Sequence, residues 1–162
     1  MTSKARGELA LLLQMLDEGY EKKAWHGPNL RGSIRGLTAR EAAWRPGPRR
    51  HNIWEIVVHA AYWKYAVRRR LLGEKRGSFA LKGSNWFARS ARTGEQAWRQ
   101  DIALLARMHR ELRATVASLP GSALGRKSPG RRHTARRMIA GIALHDVYHA
   151  GQIQILKRLR RK

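Results

Sequence analysis

Apolar residues recur at three- and four-residue spacing through four long stretches of the chain, and helical punctuation brackets each of them. Leu9, Leu12, Leu13, Leu16 and Tyr20 form one buried stripe and predict a first helix near 4–24, ended by Trp25-His26-Gly27-Pro28. A short helical turn is expected at 38–44, where Thr38 and Glu41 can make a capping box. Asn52 with Glu55 three residues on opens the second long helix, which runs without Gly or Pro to Leu72 and is apolar on most faces. Trp98, Ile102, Leu105, His109, Leu112, Val116 and Leu119 predict the third, opened by a Thr93/Gln96 capping box. Thr134 caps a fourth that continues to the end of the chain. No stretch alternates like a strand. The pattern predicts an all-α four-helix bundle, a single domain over 1–162. The long Gly- and Ser-containing connection from Gly73 to Arg92 argues for a crossover between helices 2 and 3, since antiparallel neighbours need only short loops.

Composition fits that expectation and adds a question about charge. With 162 residues, 43 % hydrophobic and 28 % charged, the chain can bury one core. Lys and Arg number 34 against 11 Asp and Glu, a net charge of +23, so nucleic acid and other polyanions have to be considered as partners. Cysteine is absent, which removes disulfides, thiolate ligands and Cys nucleophiles and fits a reducing cytoplasm. The longest apolar stretch, Ile53 to Val67, is broken by Glu55, His59 and Lys64, so no membrane span or secretion signal is expected.

Candidate chemistry lies in the histidines. His145 and His149 are four residues apart and leave one helix face a turn from each other, the spacing of two ligands of one metal. They share a stripe with Met138, Ile142, Gln152 and Leu156, so they point into the bundle, where an unpaired polar group is costly. His59 sits inside the most apolar helix and also needs a partner. Three neutral imidazoles from facing helices make an open, catalytic-type site for a divalent ion such as zinc. Gln152, one turn beyond His149, and Glu55, one turn before His59, are placed to orient ligands. His26 either caps the first helix or lines the site mouth. Asp146 stands where a zinc peptidase has Glu, which disfavours proteolysis. His109 reads as a core histidine, His51 and His133 as linker residues. Arg49 and Arg50 lie nine to ten residues before His59, about 14 Å along a helix axis, and can attract an anionic substrate.

His59 together with His145-x-x-x-His149-x-x-Gln152 in a four-helix chain resembles the DinB-like (DinB/YfiT) superfamily of bacterial metal-binding bundles, and Trp25-His26-Gly27-Pro28 and His51-Asn52-Ile53-Trp54-Glu55 look like one of its subgroups. The resemblance covers nearly the whole chain. It implies a bundle with a long crossover between helices 2 and 3, a divalent metal, often zinc or nickel, on the three histidines, and frequently a homodimer. It also implies a small-molecule substrate: some relatives are S-transferases using low-molecular-weight thiols, others isomerases or hydrolases.

The basic residues cluster at the helix ends. Arg68 to Arg70 with Lys75 and Arg76 close the second helix and Lys157 to Lys162 the fourth, where the macrodipole favours cations. Arg131, Arg132, Arg136 and Arg137 surround the start of the fourth helix, where it opposes them. The alternative reading is therefore a basic nucleic-acid or polyanion-binding module, contacting phosphates nonspecifically, with structural histidines.

Overall fold

The computed structural model describes residues 3–75, 77–127 and 132–161; Arg76, Arg131 and Lys162 of the basic clusters lie outside them. Six helices make up the described chain: α1 (Ser3–Tyr20), α2 (Leu30–Ile34), α3 (Ala39–Ala42), α4 (Ile53–Leu71), α5 (Gly94–Ala117) and α6 (Ala135–Arg160). Among the described residues there is no strand, only one isolated antiparallel pairing between Lys127 and Thr134. No helix of the described chain is long and apolar enough to cross a membrane.

The four long helices are those expected, and their boundaries follow local chemistry. Asn52 accepts from the Glu55 backbone N–H at 2.8 Å while Glu55 reaches back to the Asn52 N–H, so α4 starts where the capping box puts it. Thr38 and Glu41 cap α3 the same way. Thr134 caps α6. Thr93 does not cap α5: it is itself helical (φ −70°, ψ −22°), the last residue of a 3₁₀ turn over Ala91–Thr93, and Gly94 at φ +83° makes the break. α1 stops at Tyr20 rather than 24, because the Lys22 N–H turns back to the Asp17 carbonyl in a wider loop. α2, capped by Asn29, was not expected, since Gly32 in its middle reads as a turn.

Contacts between the helices give their directions. Trp54 packs on Trp98 and Arg68 lies near Glu111, so α4 and α5 are parallel neighbours; Glu8 pairs with Arg136 while Gly19 meets Ala143, so α1 and α6 are parallel too. Asp17 with Arg113 and Tyr20 with His109 make α1 and α5 antiparallel, and the α4–α6 contacts described below are antiparallel as well. The result is an up–down–down–up bundle whose crossover, residues 72–93, must return along the full length of α4. Gly19 is required where α1 crosses α6, because a Cβ there would stand 2.9 Å from the Ala143 carbonyl oxygen.

The core is two apolar clusters with a polar layer between them. One is built on Trp54, Trp98, Leu105 and Ile153, the other on Leu16, Leu112, Leu124 and Ile139, all essentially fully buried, each such side chain stabilising the fold by ~1.5–3 kcal/mol. Between them lie Lys64 and Asp146, both 0 % exposed and ion-paired to each other, with His109 at 1 %. His109 stacks on Tyr20 with ring centroids 4.0 Å apart, and its Nδ1 is 3.4 Å from the Lys64 ammonium.

Candidate metal centre

α4 and α6 run antiparallel along one side of the bundle, and just past the polar layer they bring His59 against His145 and His149. The Nε2 atoms of His59 and His149 each lie 3.1 Å from the Nε2 of His145, and the candidate ligand atoms all fall within 4.8 Å of one another. Three imidazole nitrogens bound at ~2.0–2.1 Å to one tetrahedral ion would sit about 3.3 Å apart, so the two pairs at 3.1 Å are close to ligand spacing.

The outer nitrogens decide where the protons are. His59 Nδ1 donates to the Asn85 carbonyl at 2.8 Å, and His149 Nδ1 donates to Gln152 Oε1 at 2.7 Å. Both rings therefore present bare Nε2 lone pairs to His145, which carries at most one proton on that side. Two lone pairs facing one hydrogen is an unfavourable arrangement that a cation resolves. His145 Nδ1 is buried with no partner among the described residues. Protonation cannot supply the charge. Burial, followed by the neighbouring histidines and Lys64, lowers the His145 pKa to about 3; burial lowers that of His149 to about 4 despite the bond to Gln152; burial also lowers that of His59. The cluster is a set of neutral ligands at pH 7.

The crossover completes the site. Asn85, in the left-handed region at φ 64°, which Asn tolerates better than most residues, supplies its carbonyl to His59 and its side-chain oxygen to Trp63 Nε1. Trp86 stacks on His59 at 3.8 Å and on His51 at 3.6 Å. Two rings nearly parallel to one indole at that distance must take opposite faces. Behind His51, Glu55 accepts from Nδ1 at 3.0 Å. Burial pushes the Glu55 carboxyl up, but hydrogen bonds from Arg45, His51 and the Arg89 N–H outweigh it and hold the group below its usual range, as a carboxylate. These groups open on a cavity of about 560 Å³ walled by the three histidines, His51, Trp86, Arg50, Tyr148 and Ile155.

Gln152 lines the cavity and accepts from His149 Nδ1. Glu55, expected to orient His59, holds Arg45 and His51 instead, because its side chain turns back to cap its own helix. Arg50 reaches the cavity wall, whereas Arg49 is exposed at φ 60° and is not on the lining. His26 is exposed in the turn after α1, six residues beyond the end of the helix, and neither caps it nor lines the cavity. His51, read from sequence as a linker, is part of the site; its four-residue spacing to Glu55 was the available signal. Nothing local marked Asn85 or Trp86.

Fold and site together define a helical bundle whose three histidines could hold a metal ion. The chain belongs to the DinB superfamily: the sequence profile of that family matches residues 24–153, which include all three histidines. No curated protein and no solved structure matches the chain.

Proposed function

We propose that His59, His145 and His149 bind one divalent metal ion, zinc or nickel, through their Nε2 atoms, and that the chain, one domain over 1–162, is a metal-dependent enzyme of thiol S-transferase or hydrolase type. The observation that carries the reading is the pair of bare lone pairs converging on His145. An all-imidazole set suits zinc and nickel. Such an ion lowers the pKa of a bound water or thiol toward neutrality. The protein's own contribution is arrangement. Asn85 and Gln152 fix two ligand rings, Trp86 and Ile155 dry the cavity, and Arg50 raises the local concentration of anionic substrates. His51, its Nδ1–H held by Glu55, has Nε2 available to take a proton from a bound thiol or water. A cytoplasmic setting with abundant low-molecular-weight thiols suits this chemistry, and a homodimer is compatible with it.

Elemental analysis of protein purified without a metal column should find about one metal ion per chain, lost in His59→Ala. Full occupancy in that variant overturns the assignment. Charge supports a second reading, polyanion binding, because most of the 11 acidic residues are engaged in ion pairs or caps while cations remain at both ends of the bundle. Duplex-DNA binding that weakens steeply with salt, by about one log unit per log of salt for each phosphate neutralised, and survives in His59→Ala would favour it.

A further inference from the structure

Gln152 is three residues from His149 and four from Tyr148 on α6, so its amide can reach both. Its Oε1 accepts from His149 Nδ1 at 2.7 Å, and its Nε2 lies 3.0 Å from the Tyr148 hydroxyl oxygen. The first bond dictates the second. His149 turns Nε2 toward His145, so its N–H is on Nδ1 and needs an oxygen opposite. That leaves the amide nitrogen for Tyr148, and an amide N–H can only donate. The Tyr148 oxygen therefore accepts, and its own O–H points elsewhere.

The space available to it is the large cavity. Tyr148 and Gln152 both line that cavity, as does Arg50 from the segment before α4. The hydroxyl proton meets no acceptor among the described residues, and Tyr148 is 63 % exposed, a wall residue and not a core one. Its ring stands edge-on to that of His149, with centroids 5.1 Å apart, so packing and the Gln152 bond together fix where the hydroxyl stands. None of the described lining residues is acidic, while Ile56, Trp86, Ile155 and Leu156 give the cavity apolar walls.

We propose that Tyr148 determines which ligands this cavity accepts: its O–H donates a hydrogen bond to the carboxylate oxygen of a ligand with an apolar body, whose charge Arg50 attracts. The role is donation without proton transfer. It rests on reading the cavity as the ligand site of the proposed function, but not on whether an ion occupies the histidines. The chemistry selects against as well as for. An organic cation brings no lone pair to the hydroxyl and is repelled by the guanidinium, so it is excluded.

The test titrates the full chain with benzoate by calorimetry, with benzylamine as the comparison ligand and metal content measured in every sample. Benzoate should bind saturably, one per chain, and benzylamine should not bind. Tyr148→Phe should weaken benzoate about tenfold, the order of one hydrogen bond to a charged group, and leave metal content as in the wild type. The substitution removes no charge, so nonspecific attraction of benzoate to a chain of net charge +23 is unchanged. Gln152→Glu tests the direction of the bond. A carboxylate at that position accepts from both His149 Nδ1 and the Tyr148 O–H, which turns the proton away from the cavity. In that background Tyr148→Phe should cost less than about twofold, and the repulsion from the added charge cancels because both members of the comparison carry it. Absence of benzoate binding, equal binding of benzylamine, a loss below twofold in Tyr148→Phe alone, or the same loss in both backgrounds overturns the proposal. One metal ion per chain alongside any of these results leaves the metal reading standing. The expected variant pattern in a chain that holds no metal sinks the metal reading and leaves this one.

Discussion

Replacing Lys64 by Met should unfold the protein more readily than any single change at its surface, and the size of the effect follows from what surrounds the ammonium. Lys64 and Asp146 are both completely buried and pair with each other. The second oxygen of Asp146, Oδ1, has no partner among the described residues, so when Lys64 is removed nothing nearby takes up the charge. Breaking one side of a buried ion pair costs ~3–5 kcal/mol. Part of that is relieved by protonation, because burial already raises the Asp146 pKa against the pull of Lys64, which places the expected loss near ~3 kcal/mol. In urea, with a slope of ~1–3 kcal/mol/M, the midpoint at pH 7 should fall by about 1–2 M. Lys64→Met combined with Asp146→Leu removes both charges and fills the layer with apolar volume; it should recover most of the loss and give a coupling energy above ~2 kcal/mol in the double-mutant cycle. A Lys64→Met loss below ~1 kcal/mol, or a double variant whose loss is the sum of the single ones, would refute the picture of a mutually dependent pair.

Acid should destabilise the fold through His109. Its pKa is lowered by burial, then by Lys64, to about 3, against 6.5 for the free side chain. The unfolded chain takes up a proton as pH falls through 6.5 while the folded chain does not, so this contribution is complete above that value and declines below it, by up to ~1.4 kcal/mol per pH unit. His109→Phe should flatten the fall in urea midpoint between pH 6.5 and 4.5, and an unchanged pH slope would contradict the assignment. Gln152→Leu removes the acceptor that fixes His149 and should weaken zinc or nickel binding ~10–100-fold in a competition titration while one ion per chain is still reached at saturation; unaltered affinity would show that the bond is incidental.

What the sequence made legible was whatever lies within a few residues of itself. The i, i+4 histidines, the capping boxes at Asn52 and Thr38 and the apolar stripes were readable because a helix maps sequence spacing onto space. Lys64 was visible only as a break in an apolar stretch and Asp146 only as an acid between the two histidines, and their pairing spans 82 positions. Trp86 and Asn85 belong to the irregular crossover, whose path is set by the parallel packing of α4 and α5 and carries no periodicity to read. Thr93 misled because a Thr followed three residues later by Gln specifies a cap only when the Thr backbone is extended, and a 3₁₀ turn had already claimed it.

The topology also fixes when the histidine group comes into existence during synthesis. His59 and His145 are 86 positions apart, and α6, which carries two of the three rings, packs between α1 and α4. While α6 is still inside the ribosome, α1 and α4 each lack a neighbour, and His59 has the Asn85 carbonyl, Trp86 and Trp63 beside it but neither of its partner histidines. The three-nitrogen group therefore cannot form until α6 has been made, after α1, α4 and α5.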